Sequence, residues 1–203
     1  MAHAIEMFFD EHADAAVRAL WQQLAIAGLP SLATRTHRRH RPHVSLTATE
    51  SLDQADLAPV RSALAGHLPA VLLDALSTFP GSEGALFLGA VVTADLLALH
   101  TRVHQALSGQ PVSHWPYYLP GRWVPHCTLA QGLGRDEIAA AFRLLLGYQP
   151  IAAQLPVPTG PGCTRRLTPR PLILREEKHV LDYRARCLSS RRPCFHGQKG
   201  TQA

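Results

Sequence analysis

Two five-residue segments of this chain carry the same chemistry. At Pro42-His43-Val44-Ser45-Leu46 and at Pro125-His126-Cys127-Thr128-Leu129, proline is followed by histidine, an apolar residue, a hydroxyl residue and leucine, and only two of the twelve histidines have this context. Side chains alternate faces along an extended strand, so His43 and Ser45 point one way while Val44 and Leu46 point the other. His126 and Thr128 are related in the same way, with Cys127 and Leu129 behind them. If the two strands lie side by side, two imidazoles and two hydroxyls converge on one small volume. Histidine titrates near neutrality, so one ring of such a pair can remove a proton while the other delivers one. The hydroxyls can donate to phosphate oxygens, and imidazolium and hydroxyl donors together can stabilise charge developing on phosphorus without a metal ion.

A lone His-x-Ser/Thr triplet carries no information. Two copies 83 residues apart do, because they sit at equivalent points of what reads as a duplicated plan. Ala4 to Phe9 reads as a strand, followed by a helix with Val17, Leu20, Trp21 and Leu24 on one face, capped by Asp10 and closed by Gly28 and Pro30. The first histidine strand spans about 41–48 and a helix about 54–66. Apolar runs at 70–79 and 85–92 flank Pro80-Gly81-Ser82-Glu83-Gly84, a hairpin turn without the Lys-Ser/Thr of a phosphate loop. From Ala85 the order repeats: a strand, a helix over 94–107 capped by Thr93 with Leu96, Leu99, His100, Val103 and Leu107 on one face, a long loop, and the second histidine strand over about 123–130. A helix over 134–146 turns Ile138, Phe142, Leu145 and Leu146 inward. Strands are expected at Ile151 to Leu155 and Pro171 to Arg175, and disorder from about Ser189.

The 203 residues suffice for one full domain with a core that needs neither metal nor disulfide. No apolar run is long enough to span a bilayer, and Met1 to Phe9 lacks a basic leader and cleavage site, so a cytoplasmic monomer is the default expectation. Cys127, Cys163, Cys187 and Cys194 have neither CxxC pairing nor regular spacing, which argues for reduced, structurally minor thiols. Charge is uneven. Residues 1–163 hold ten arginines against twelve acidic residues, whereas 164–203 hold ten basic and three acidic residues, so the net +5 belongs to the C-terminal part and says little about a nucleic-acid partner.

The Arg-Pro-His43-Val-Ser45-Leu and Val-Pro-His126-Cys-Thr128-Leu segments resemble the paired motifs of the two-histidine (2H) phosphoesterase superfamily, in particular its bacterial 2′-5′ RNA ligase or RNA 2′,3′-cyclic phosphodiesterase branch, over roughly residues 4–150. The resemblance implies an α+β fold that is bilobal, with two pseudosymmetric lobes, each an antiparallel-rich sheet with flanking helices, around a central cleft. On that basis a single domain is expected over 1–180, its lobes exchanging near 80–90 and 150, followed by a basic, disordered tail at 181–203. It also implies cofactor-free and metal-independent hydrolysis of 2′,3′-cyclic phosphate ends of RNA or nucleotides to 2′-phosphates, with reversible 2′-5′ ligation in related members. By this match His43 and His126 are the acid–base pair, and Ser45 and Thr128 bind phosphate.

Other residues are candidates for holding RNA. Thr36 to Arg41 forms a basic lip before the first motif, of which Arg41 is nearest, and Trp115, Tyr117, Tyr118 and Trp123 precede the second, where Tyr117 or Tyr118 could stack on an unpaired base. Arg122, close to the second motif, is a further candidate phosphate contact, the alternative being an ordinary surface arginine. His37, His40 and His43 lack a fourth metal ligand, and His100 and His104 lack the acid of the zincin pattern; the latter pair reads as partly buried helix residues, His67 and His114 as surface. Cys127 alternates away from the cleft. Two competing readings remain: an RNA-end binding protein without turnover, and a zinc hydrolase built on the histidine-rich stretches.

Overall fold

Two antiparallel sheets share one hydrophobic core. In the computed structural model, which describes residues 3–34, 40–50, 52, 57–79 and 84–155, β1 (His3–Phe8) pairs with β2 (His43–Thr49). A second sheet has the order β5-β4-β3-β6, formed by β3 (Val71–Thr78), β4 (Gly84–Ala90), β5 (His126–Leu133) and β6 (Ile151–Ala153). Four helices complete the α+β architecture: α1 (Glu11–Ile26), α2 (Leu57–Ala63), α3 (Ala94–Leu107) and α4 (Arg135–Leu145). Among the described residues one sheet has two strands and the other four. β3 pairs with β4, as the hairpin turn between them implies, and with β6. The expected strand at 171–175 and the tail at 181–203 lie outside the described residues.

Local sequence explains the helices. On α1, Ala13, Val17, Leu20, Trp21 and Leu24 form the buried stripe, and the Asp10 side chain accepts from the Ala13 N–H at 3.0 Å. Thr93 caps α3 in the same way, accepting from Leu96 N–H at 3.2 Å. On α4, the Glu137 carboxylate accepts from Gly134 N–H at 2.7 Å. A Cβ at Gly84 would collide with the Ile138 side chain, so glycine is what lets α4 lie close on β4. Leu146, expected inward, lies past the last turn of α4 and is 70% exposed, while Leu145 is buried.

The helices cross over between the sheets. α1 follows β1 of the small sheet yet packs on β5, β6 and α4 of the large one, whereas α3 follows β4 of the large sheet and packs on α2 and β2. The core is therefore continuous: Ile5, Met7, Val44 and Leu46 of the small sheet and Leu86, Leu88, Cys127 and Leu129 of the large one belong to one buried cluster.

Asp10 also joins the start of α1 to the residue after β6, since its N–H donates to the Gln154 carbonyl and its carboxylate accepts from Gln154 N–H. Burial pushes this carboxyl up, but the donors of Ala13, Gln154 and His12 outweigh it and hold it below its ordinary value. A depressed carboxylate contributes stability above the unfolded-state value and loses it as pH falls. Asp10→Ala should therefore cost about 1 kcal/mol in urea unfolding at neutral pH, with the gap to wild type closing as pH drops below about 4.

Candidate functional site

The two motifs fold alike. In β2 and in β5 the first four residues alternate half-buried and buried, with His43, Ser45, His126 and Thr128 on the open faces and Val44, Leu46, Cys127 and Leu129 in the shared core. Although they belong to different sheets, β2 and β5 pack against each other. Each motif also carries a β-bulge at its leucine. Ile5 pairs with Thr47 but Glu6 with Ser45, which leaves Leu46 as the extra residue; Leu86 pairs with Ala130 but Phe87 with Thr128, which leaves Leu129 extra. A bulge re-aims the side chains of its neighbours. Here Glu6 and Phe8 come opposite Ser45 and His43, while Phe87 and Gly89 come opposite Thr128 and His126.

Both imidazoles are anchored in one way. His43 Nδ1 lies 2.7 Å from the Arg41 carbonyl oxygen, and His126 Nδ1 lies 2.7 Å from that of Val124, in each case two residues upstream across the motif proline. A carbonyl only accepts, so the proton of each neutral ring sits on Nδ1 and leaves Nε2 as the nitrogen with a lone pair.

Two indoles tie the strands together in a crossed pattern. Trp21, from α1, donates through Nε1 to the Thr128 carbonyl at 3.1 Å, and Trp123, just before β5, donates to the Ser45 carbonyl at 3.0 Å. The backbone of each phosphate-binding candidate is thus held by the half of the chain that bears the other.

The surroundings of the two rings differ. Beside His43, the Glu6 carboxylate is fully buried, with Oε1 3.4 Å from His43 Nε2. This is an ion-pair separation, and neither Glu6 oxygen has a hydrogen-bond partner among the described residues. The Arg41 guanidinium stands 4.8 Å from the centre of the Phe8 ring and 3.6 Å from Asp14, which also binds Arg18. Beside His126 the walls are aromatic, with the Phe79 and Phe87 rings 5.1 and 5.0 Å away.

The loop aromatics divide. Tyr117 is half-buried and has the exposed Arg122 guanidinium 5.3 Å from its ring centre. The Tyr118 ring is instead packed with Ala4, Ala48 and Trp115, which corrects its expected role as a stacking platform. Cys127 faces the core, and burial pushes its thiol up to about 12, so it stays protonated.

His114, expected at the surface, is half-buried and hydrogen bonded to the Thr47 hydroxyl at 2.8 Å. It begins a row of rings. His114 lies 4.7 Å from His104, His104 4.5 Å from His100, and His100 stacks on Trp123 at 4.1 Å while donating through Nε2 to the Tyr118 carbonyl. The row therefore supports the indole that holds Ser45. Among the described residues no three His, Cys, Asp or Glu side chains are grouped to hold a metal ion. Sequence reasoning missed Glu6 and the indole bonds, although Glu6 is the lone acidic residue in an apolar strand, which is a usable signal.

Burial lowers all three histidines of the row, His104 to about 4 with help from the charges of His100 and His114. An unfolded histidine protonates near 6.5. Between there and about 4 the unfolded chain binds protons that the native row refuses, so stability should fall as pH drops, by on the order of 1 kcal/mol per pH unit for His104. Thermal unfolding followed from pH 7 to 5 checks this, and His104→Phe should flatten the slope.

A model of the 2'-5' RNA ligase superfamily matches residues 9–156. Among solved structures, Usb1 from Kluyveromyces marxianus aligns with a TM-score of 0.41 at 11% identity, over 72% of this chain and 82% of that one. The structure of Kluyveromyces marxianus Usb1 with uridine monophosphate aligns with a TM-score of 0.41 at 12% identity, over 76% and 97%. No curated protein matches the chain.

Proposed function

Because the chain belongs to the 2′-5′ RNA ligase superfamily, we propose that it is a metal-independent phosphoesterase that opens 2′,3′-cyclic phosphate ends of RNA or nucleotides to 2′-phosphates. The observation that carries this reading is the matched anchoring of His43 and His126, each with Nδ1 committed to a backbone carbonyl and Nε2 as the remaining nitrogen, on two strands packed side by side. In hydrolysis one imidazole takes a proton from water as the water oxygen bonds to phosphorus. The bond from phosphorus to O3′ breaks, and the other ring, as imidazolium, protonates O3′. Ser45 and Thr128 donate to the non-bridging oxygens, whose charge grows in the transition state. A ribose 5′-hydroxyl in place of water gives a 2′-5′ linkage, so ligation uses the same groups.

Arg41, Tyr117 and Arg122 would extend the site along the RNA, Arg41 from beside the His43 face and the other two as a cation over a ring onto which a base can stack.

His43→Ala and His126→Ala should each lower kcat on 2′,3′-cyclic uridine monophosphate by about 10²–10⁴, with wild-type turnover unchanged by chelator. Ser45→Ala and Thr128→Val should each cost about tenfold or more, as expected for a lost hydrogen bond to a charged group. Near wild-type turnover in either histidine variant contradicts the reading. Tight binding of a non-hydrolysable analogue by a wild-type protein with no turnover would instead make this an RNA-end binding protein.

A further inference from the structure

Each motif strand is least regular beside the residue that would hold phosphate. The bulges leave Leu46 and Leu129 outside the register, so the ladder is interrupted just after Ser45 and just after Thr128. A single torsion separates the hydroxyl oxygen of serine or threonine from its own backbone. Whatever fixes the backbone of Ser45 or Thr128 therefore helps to aim the hydroxyl.

An indole N–H takes up the carbonyl of each. Trp123 Nε1 donates to the Ser45 carbonyl at 3.0 Å, and Trp21 Nε1 donates to the Thr128 carbonyl at 3.1 Å. Both donors are held in place. Trp21 belongs to the buried stripe of α1, the Arg18 guanidinium stands 5.4 Å from its ring centre, and its own carbonyl accepts from the Ser31 hydroxyl at 2.6 Å. From the same connection Leu32 N–H donates to the carbonyl of the bulge residue Leu129 at 3.1 Å. Trp123 packs against both hydrophobic clusters and stacks on His100, the two rings 8° from parallel.

The two bonds do not share an origin in the fold. Trp21 lies in a helix, 107 residues from the carbonyl it serves, and Trp123 lies in a connection, 78 residues from its own. Donors unrelated in position nevertheless reach equivalent residues of the two motifs. A phenyl ring would fill much of the same space, so what the indoles add is the N–H.

We propose that Trp123 and Trp21 are positioning residues for the phosphate site, Trp123 acting through Ser45 and Trp21 through Thr128. Each fixes a carbonyl at a bulge, so that the hydroxyl of the same residue is aimed before phosphate arrives. The proposal rests on the reading of Ser45 and Thr128 as phosphate-binding residues. A group oriented in advance loses less freedom on binding, so the effect of each indole is read as affinity. Neither indole contacts the phosphate in this scheme, and each acts on one half-site.

The test is a pair of crossed double-mutant cycles with the Kd of uridine 2′-monophosphate as the readout. Each tryptophan is replaced by Phe and, to keep the volume and stacking of the ring if Phe prevents folding, by benzothienylalanine, in which sulfur stands in place of the N–H. Loss of either N–H should weaken binding by about threefold to tenfold, as expected for one hydrogen bond. Removal of the Trp123 N–H should have no further effect in Ser45→Ala and its full effect in Thr128→Val. The Trp21 N–H should show the opposite selectivity. Unchanged affinity on loss of the N–H overturns the proposal. The same loss in both backgrounds also overturns it, because it marks a general loosening of the core or a disturbed loop. If Ser45→Ala and Thr128→Val themselves leave Kd unchanged, the phosphate-binding reading fails and the proposal with it. Weakened binding in both of those variants beside additive cycles overturns the proposal alone.

Discussion

The site depends on how two strand edges that do not form a ladder with each other are held together. Among the described residues β2 forms a ladder with β1 alone and β5 lies at the end of its sheet, so the outward carbonyls of both strands need donors. Indoles supply them at Ser45 and Thr128, each from the opposite half of the chain. Further backbone bonds extend the join, from Leu32 N–H to the Leu129 carbonyl and from Trp115 N–H to that of Ala48. A direct ladder would merge the two sheets into one surface. Indole bridges instead keep two separate sheets in fixed relation, each bearing one histidine.

The crossed helices make this join cooperative. Trp21 is 2% exposed, seated between α1 and the large sheet, and its burial together with Val17, Leu20 and Leu24 is what brings the indole to Thr128. Trp123 stacks on His100, whose pKa is lowered by burial in α3. The packing of each helix against the far sheet therefore sets the position of a phosphate-binding candidate. In this way core packing is transmitted to the site through two hydrogen bonds whose strength depends on being dry.

Much of this was legible in the sequence. Alternation at Pro-His-x-Ser/Thr-Leu identified which residues share the open face, because period two is a local property. The caps Asp10 and Thr93 fixed the starts of α1 and α3 for the same reason. What escaped was non-local. The pairing of β3 with β6 depends on a partner distant in sequence, and the bulges at Leu46 and Leu129 depend on register, neither of which one strand reveals. Tyr118 and His114 looked like loop residues but are packed by α3 and β2, elements distant in sequence. Glu6 read as an ordinary strand position until its cross-strand neighbour was known.

In the proposed reaction His43 and His126 serve one phosphate. A crystal structure of the protein with a nucleoside 2′-monophosphate, the product of the proposed hydrolysis, tests it most directly. Phosphate oxygens within hydrogen-bond reach of both imidazole Nε2 atoms and of the Ser45 and Thr128 hydroxyls are the predicted result. A phosphate held by one half-site alone, or bound elsewhere while the two rings open onto separate surfaces, would contradict it.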